Sequence, residues 1–193
     1  MERIYAITES LALVSRSPIA MLGSVDGSGF YNFWGVNMQS KPIDGLEQFI
    51  VRAKAATYVG SGAKSLSHRP ASHDLEYHDG EFDYLDSYFG GSDFIGEEVV
   101  YYRQQPVWAM NYYGRILLPS QITAAEAGQV IKESLSGMYQ TGRFLGGWVH
   151  NTAYGSYTDT NQGDFTSFTG KEWITRDSVV VYELYYHGGL IKG

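Results

Sequence analysis

The sequence predicts an α+β fold in which a unit of one helix and four antiparallel strands occurs twice. Three observations predict it: an internal repeat, strand-like segments joined by short turns, and 16 Tyr with 23 Gly among 193 residues. Aromatic residues favour pleated strands, and glycine supplies the positive φ of tight turns. We expect pseudo-twofold symmetry between the units, with the helices on one side. One continuous sheet and two facing sheets both agree with the pattern.

The repeat aligns residues 94–116 with residues 168–190 without a gap, at a constant offset of 74. Six positions are identical: Phe94/Phe168, Gly96/Gly170, Glu98/Glu172, Val107/Val181, Tyr112/Tyr186 and Gly114/Gly188. The ungapped register favours a duplication, with repeats at about 45–118 and 119–193.

Each repeat contains two predicted strand pairs. The first repeat has strands at 73–78 and 81–89, joined at His78-Asp79-Gly80, and at 94–102 and 107–113, joined by a turn over 103–106. The second has strands at roughly 144–150 and 153–160, and at 168–175 and 179–187. Short runs rich in aromatic and β-branched residues between turn signals are typical of hairpins.

A helix precedes each set of strands. The first spans about 46–56 with Asp44 as its predicted cap, and the second spans 122–137. Thr123 and Glu126 have the spacing of a capping box, and Gly137 is the predicted end. Residues 57–72 form a long loop, and residues 1–44 are an N-terminal extension with a helix at 7–16 and a hairpin over 18–38.

Composition excludes several function classes. The net charge is -7, which disfavours direct binding to nucleic acid. There is no cysteine, so disulfides and thiolate chemistry are excluded, and a cytoplasmic location is expected. No apolar run approaches the ~20 residues of a membrane helix, so no membrane partner is expected.

Acidic residues concentrate in the first repeat. Residues 73–98 hold nine acids, two His and no Lys or Arg, and His73, Asp74 and Asp86 are the candidate metal ligands. A solvated acidic strand pair is the alternative. Because Glu98 and Glu172 occupy equivalent positions, they would form an acid–base pair if the units approach each other. A structural role in the bend is the alternative.

Strand alternation predicts two different faces on the last strand of each repeat. Trp108, Met110, Tyr112, Tyr182, Leu184 and Tyr186 fall on the predicted core side. The other side combines aromatic and polar groups: Asn111, Tyr113, Glu183, Tyr185 and His187. We expect a concave small-molecule pocket near Asn111, Tyr113 and His187, with Trp108 as a further candidate contact. An ordinary solvent-facing sheet is the alternative.

A basic group lies in the loop before the first strand. Arg69, with His68, His73 and Asp74 nearby, has the fork geometry that binds an anionic group. Arg69 and His73 are therefore candidate ligand-binding residues. A surface loop anchored by an ion pair between Arg69 and an aspartate is the alternative.

Two stretches resemble known families. The run from LEQFIVRAKAATYVG through RPASHDLEYHDGEFDYLDSYFGGSDFIGEEVVYYRQQPVWAMNYYGRI, with YELYYHGGLI, resembles a bacterial domain family of unknown function. Members occur alone or fused to an XRE-type helix-turn-helix regulator. Residues 1–38 are similar to the start of pyridoxamine 5'-phosphate oxidase-like split barrels, which implies FMN. Only two strands precede Pro42 and the segment is poor in lysine, so no cofactor is predicted.

Three function classes follow from these residues. The first is a cytoplasmic small-molecule-binding or sensor module. The second is an enzyme that uses Glu98 with Asp86, His73 or His187 as acid–base groups or metal ligands. The third is an oligomeric structural protein, such as a homodimer, whose tyrosines cover an interface.

Overall fold

A computed structural model describes residues 43–59 and 67–192 of the chain. Helix α1 is Leu46–Lys54, continued by a π-helical segment at Ala55–Val59, and helix α2 is Ala124–Gln140. The strands are β1 His73–Asp79, β2 Phe82–Gly90, β3 Phe94–Tyr102, β4 Gln105–Ile116, β5 Trp148–Thr152, β6 Gly155–Asp164, β7 Ser167–Arg176 and β8 Val179–Leu190. The predicted N-terminal helix and hairpin lie outside the described residues.

The eight strands form one continuous antiparallel sheet in the order β1-β2-β3-β4-β8-β7-β6-β5. The two four-strand runs meet where β4 pairs with β8, and Tyr112 lies directly opposite Tyr186 at this junction. Within the described residues, the α+β class is confirmed and the sheet is single.

Two hairpins are tighter than predicted. Arg103-Gln104 and Asp177-Ser178 form two-residue turns with φ of 50° and 66°, and of 49° and 66°. Positive φ at both central residues matches the twist of the flanking strands. Pro106 therefore belongs to β4 and not to the turn, and it lies at the register shift of the β3–β4 pair, where a missing N–H is tolerated.

The helix ends are partly as predicted. The capping box of Thr123 and Glu126 is confirmed, because each side chain accepts a hydrogen bond from the other residue's backbone N–H. Helix α2 runs past Gly137, which packs against the ring of Trp148. The predicted cap of α1 is wrong: Gly45, with φ of 81°, is the N-cap and makes no side-chain cap bond.

The first two strands after α2 begin later than predicted. Gly146 and Gly147 have positive φ of 97° and 74°, a conformation that does not continue a strand. The strand predicted at 144–150 therefore begins at Trp148. Phe144 instead packs in the core against Trp108 and Phe168.

Both helices pack on the same face of the sheet, α1 against β1 and β2, and α2 against β5 and β6. The core lies between the two layers. The predicted core side of β4 and β8 is confirmed, because Trp108, Tyr182 and Leu184 are buried. Among the described residues, no helix is both long and apolar enough to cross a membrane.

Candidate functional site

A cavity of about 400 Å³ lies between the helices and the sheet. Its lining from the helical layer includes Lys54, Thr57, Tyr58, Ile131, Leu135 and Tyr139. Its lining from the sheet includes Tyr84, Asp86, Tyr88, Phe94, Glu98, Met110, Tyr112 and Glu172. A concave site with mostly aromatic and aliphatic walls and a few polar groups is typical of small-molecule binding.

Asp86 is held by a tyrosine from two strands away. Tyr112 on β4 donates a 2.6 Å hydrogen bond to Oδ1 of Asp86 on β2. Its ring crosses β3 at Gly96, where an added Cβ would overlap the tyrosine hydroxyl. Only glycine leaves this path open, which explains why the Phe-x-Gly-x-Glu motif contains it.

The second half of the sheet contains the same arrangement. Tyr186 on β8 donates a 2.6 Å hydrogen bond to Asp159 on β6, and its ring crosses β7 at Gly170. In each half, the aspartate also lies opposite a glutamate: Asp86 pairs with Glu98, and Asp159 pairs with Glu172. The sheet therefore presents four carboxyl groups on its helix-covered face.

A buried ion pair forms part of the cavity's lining. Nζ of Lys54, at the end of α1, lies 2.8 Å from Oε1 and 2.6 Å from Oε2 of Glu98. The Lys54 and Glu98 side chains are only 7% and 9% exposed. Because Lys54 is the only cationic residue among the described lining residues, it neutralises one of several facing carboxyl groups.

Burial changes the ionisation of the other carboxyl groups. Removal from water and the nearby Glu98 carboxylate raise the pKa of Asp86 to about 7. Removal from water and the charge of Asp159 raise the pKa of Glu172 to about 8. Burial also raises the pKa of Asp159. Asp86 and Glu172 therefore exchange protons near neutral pH instead of near pH 4.

The structure brings together some of the predicted acid–base residues and separates others. Glu98 and Asp86 are cross-strand neighbours in the cavity. His73 packs against Tyr88 in a tilted arrangement, with ring centroids 5.1 Å apart, at the edge of this region. His187 is exposed on the opposite face of the sheet, so it does not join them.

The predicted polar-aromatic face is the face away from the helices. Asn111, Tyr113, Tyr185 and His187 are exposed there, because alternation directs them opposite to the core residues. The expected pocket beside them therefore does not coincide with the cavity, which lies on the other face. Their role in ligand binding stays a prediction.

Two further candidate ligand-binding residues, on β4 and β8, already have hydrogen-bond partners within the protein. Trp108 is fully buried and donates its indole N–H to the Phe165 carbonyl. Glu183 is 8% exposed and accepts bonds from Arg115 at 2.7 Å and Lys171 at 2.8 Å.

Two residues of the loop before β1, His68 and Arg69, bind to side chains on the face of the sheet away from the helices. Arg69 donates to the Ser87 hydroxyl and carbonyl and lies 4.7 Å over the ring of Phe89. Among the residues that the structure describes, the ion pair with an aspartate, which was the alternative role of Arg69, is not found. Although burial acts to raise it, hydrogen bonds from Ser87 and His68 hold the pKa of Asp74 well below its usual range.

The candidate metal ligands do not form a cluster. Asp74 and Asp86 lie on opposite faces of the sheet, since Asp74 pairs with Ser87, the neighbour of Asp86. Across residues 43–59 and 67–192, no group of three or more His, Asp or Glu side chains has the geometry to hold a metal ion.

Sequence reasoning missed several cavity residues: Lys54, Tyr58, Tyr84, Tyr88 and Tyr139. It also missed Asp159, which lies opposite Glu172 on the neighbouring strand. It also assigned Tyr112 to the core alone, whereas the side chain both packs there and lines the cavity. One signal was present, because Lys54 follows Ile50 at a spacing of four and so lies on the apolar side of α1.

Comparison with known proteins places the chain in a family. Neither a search of curated proteins nor a search of solved structures found a match. A family model described as "Domain of unknown function (DUF5680)" matches residues 86–191, which include β3, β4, α2 and most of the cavity's sheet residues. On this match over more than half of its length, the chain belongs to the DUF5680 family.

Proposed function

We propose that this protein is a small-molecule-binding module whose ligand occupies the cavity between the helices and the sheet. The observation that carries the proposal is the cavity itself: about 400 Å³, walled by aromatic rings, with a few convergent ionisable groups. The cavity replaces the outer sheet face as the preferred site, because its rings and carboxyl groups converge on one enclosed space.

A sensor role extends this proposal. The resemblance to bacterial domains fused with XRE-type helix-turn-helix regulators supports a domain that reports ligand binding to a partner. The cavity lies between helices and sheet, so a ligand there contacts both layers and can shift their packing. A cytoplasmic location and a homodimer are parts of the same proposal, and the mass of the protein in solution tests the dimer.

We also propose that the two four-strand units arose by duplication. The support is the shared relation of tyrosine, glycine and aspartate in each half, together with the strand order that runs outward from β4 and β8 in both directions. If the units are duplicates, each contributes a carboxyl group to the same cavity, but from different positions of the repeat: Asp86 from the first unit and Glu172 from the second.

A fragment screen by NMR tests the binding site. Hits are expected to shift the backbone amides of Thr57, Tyr58, Gly90 and Gly91 at the cavity. Gly128 of α2 lines the cavity, and an added Cβ there meets nothing within 4 Å. Gly128→Phe is therefore expected to fill the space and abolish these shifts, whereas the matched control Gly128→Ala retains them. Hits that cluster at Asn111, Tyr113 and His187 would contradict the cavity and favour the outer face.

One observation favours a second function, that of an acid–base enzyme. Asp86 and Glu172 have pKa values raised to about 7 and 8, near the pH at which proton transfer is most effective. An enzyme of this kind is expected to cleave members of a chromogenic ester and glycoside panel with a bell-shaped pH profile. Asp86→Asn and Glu172→Gln are each expected to abolish that activity, and retention of the full rate by both variants would exclude the role.

A further inference from the structure

We infer that the ligand of this cavity is an organic cation, whose ammonium group is attracted by the carboxyl groups of Asp86 and Glu172 in the lining and whose apolar body packs on the tyrosine rings. The inference rests on the proposed function, since it names the chemical class that the proposed site accepts. It is carried by the arrangement of charges and rings around the cavity.

The charges around the cavity are unbalanced. Its described lining contains three carboxyl side chains, Asp86, Glu98 and Glu172, against one lysine. Lys54 is committed to Glu98, with both carboxylate oxygens within 2.8 Å of its ammonium. Asp86 and Glu172 are therefore left without a cationic partner among the lining residues that the structure describes.

Asp86 is arranged to accept a donor from within the cavity. The residue is only 4% exposed, and its Oδ1 accepts the Tyr112 hydroxyl. Among residues 43–59 and 67–192, no group donates a hydrogen bond to its Oδ2. A cationic donor in the cavity would give this oxygen a charge-assisted hydrogen bond, which is stronger than one between neutral groups.

The walls suit the remainder of such a molecule. Rings of Tyr84, Tyr88, Phe94 and Tyr139 surround the carboxyl groups, and aromatic faces attract ammonium groups as well as apolar chains. An anionic ligand would meet three carboxyl groups and a lysine that is already paired. The same lining therefore selects against anions.

Proton exchange accompanies the binding of a cation here. Charged or titratable side chains face the two carboxyl groups from each surrounding element: Lys54 of α1, Tyr58 of the π-helical segment, Tyr84 and Tyr88 of β2, Glu98 of β3, Tyr112 of β4, Tyr139 of α2, Tyr157 and Asp159 of β6, and Tyr182 and Tyr186 of β8. With pKa values raised to about 7 and 8, Asp86 and Glu172 hold protons near neutrality when the cavity is empty. A bound ammonium group favours their charged forms, so protons leave as it binds.

Calorimetry with three matched probes tests the inference: 4-phenylbutylamine, 4-phenylbutan-1-ol and 4-phenylbutanoate. At neutral pH the amine is expected to bind the full chain at least about tenfold tighter than the alcohol, and the carboxylate more weakly than either. Titration in two buffers of different ionisation enthalpy is expected to show net proton release for the amine alone. Its affinity should rise from about pH 6 to about pH 8, because the probe stays charged while the carboxyl groups lose their protons.

Asp86→Asn and Glu172→Gln are each expected to bring the amine's affinity close to that of the alcohol. The matched control is Glu97→Gln, because Glu97 lies opposite Asn111 on the face away from the cavity. Thermal unfolding of each variant verifies its fold, and proton release by the unmodified protein provides a readout that needs no variant.

Three outcomes overturn the inference. If the alcohol binds as tightly as the amine, and Gly128→Phe abolishes both, the cavity binds ligands but not as a cation site, and the proposed function stands. If the amine binds without proton release, or equally to both carboxyl variants, the ammonium group lies elsewhere. If no probe binds, the cation assignment fails, and the independent NMR screen decides the proposed function.

Discussion

Tyr112 and Asp86 are joined by a 2.6 Å hydrogen bond that spans a whole intervening strand. The tyrosine lies on β4 and the aspartate on β2, and the ring passes over Gly96 of β3. This relationship explains why the repeated motif contains Gly96, why the last strand of the unit contains Tyr112, and how Asp86 is accommodated on the buried face of the sheet.

The first prediction concerns the glycine under the ring. Gly96→Ala is expected to destabilise the protein by about 1–3 kcal/mol, the usual cost of overpacking a filled core. The added methyl would overlap the Tyr112 hydroxyl and lie 2.7 Å from Cβ of Tyr88. Urea unfolding measures the change.

Gly91→Ala is the matched control for this experiment, because an added Cβ at Gly91 meets nothing within 4 Å. Its stability should stay within about 0.5 kcal/mol of the unmodified protein. Equal stability of the two variants would show that the ring does not lie over Gly96.

The second prediction concerns pH. The pKa of Asp86 is raised from 3.8 to about 7, and that of Glu172 from 4.5 to about 8. The folded state therefore binds more protons than the unfolded state between these values, so its stability falls as pH rises through the window. The loss is at most about 1.4 kcal/mol per pH unit for each group.

Thermal unfolding between about pH 5 and about pH 8 checks this slope. The melting temperature should fall across the range, and Asp86→Asn or Glu172→Gln should each flatten the fall, because the amide does not ionise. Glu97→Gln, on the other face, should leave the slope unchanged. A melting temperature that rises over this range would contradict the raised pKa values.

The third prediction concerns the buried ion pair. Lys54→Met is expected to destabilise the protein by about 3–5 kcal/mol, because it leaves the Glu98 carboxylate buried without its cation. Adding Glu98→Gln should recover a large part of this loss, since the remaining group is neutral. Urea unfolding of both single variants and the double variant gives the coupling free energy, and strictly additive losses would mean that the two side chains do not interact.

The fourth prediction compares the two helix caps. Thr123→Ala is expected to cost about 1 kcal/mol, because its hydroxyl accepts the Glu126 N–H at the start of α2. Asp44→Ala should cost much less, since α1 has Gly45 as N-cap and no side-chain cap bond. Chemical denaturation of the two variants measures the loss of unfolding free energy. An equal loss in both variants would show that Asp44 does cap α1.

Much of the fold follows from local patterns in the sequence. Period-two alternation gave the correct core side of β4 and β8, and the spacing of Thr123 and Glu126 gave the start of α2. The errors lie where local signals compete with packing: α2 continues past Gly137, which lies against the ring of Trp148, and Pro106 lies in a strand at a register shift.

The candidate site was less accessible from sequence. Asp86 was identified as a candidate because it belongs to an acidic segment, and Glu98 because it belongs to the repeat. Their position as direct neighbours on the adjacent strands β2 and β3 was not predicted. Lys54 was missed because its spacing from Ile50 places it on the apolar side of α1 but does not identify a buried partner. Its partner lies 44 positions away in the chain, and only the packing of α1 on the sheet brings them together.

The sequence by itself determined most of the elements, the α+β class and the buried face of β4 and β8, because these depend on residues a few positions apart. Tertiary structure alone decided that the cavity lies under the helices and not on the exposed polar-aromatic face. The reason is physical: a cavity exists only where separate layers leave space between them, and the pKa values of Asp86 and Glu172 are raised only once folding buries them beside Glu98 and Asp159.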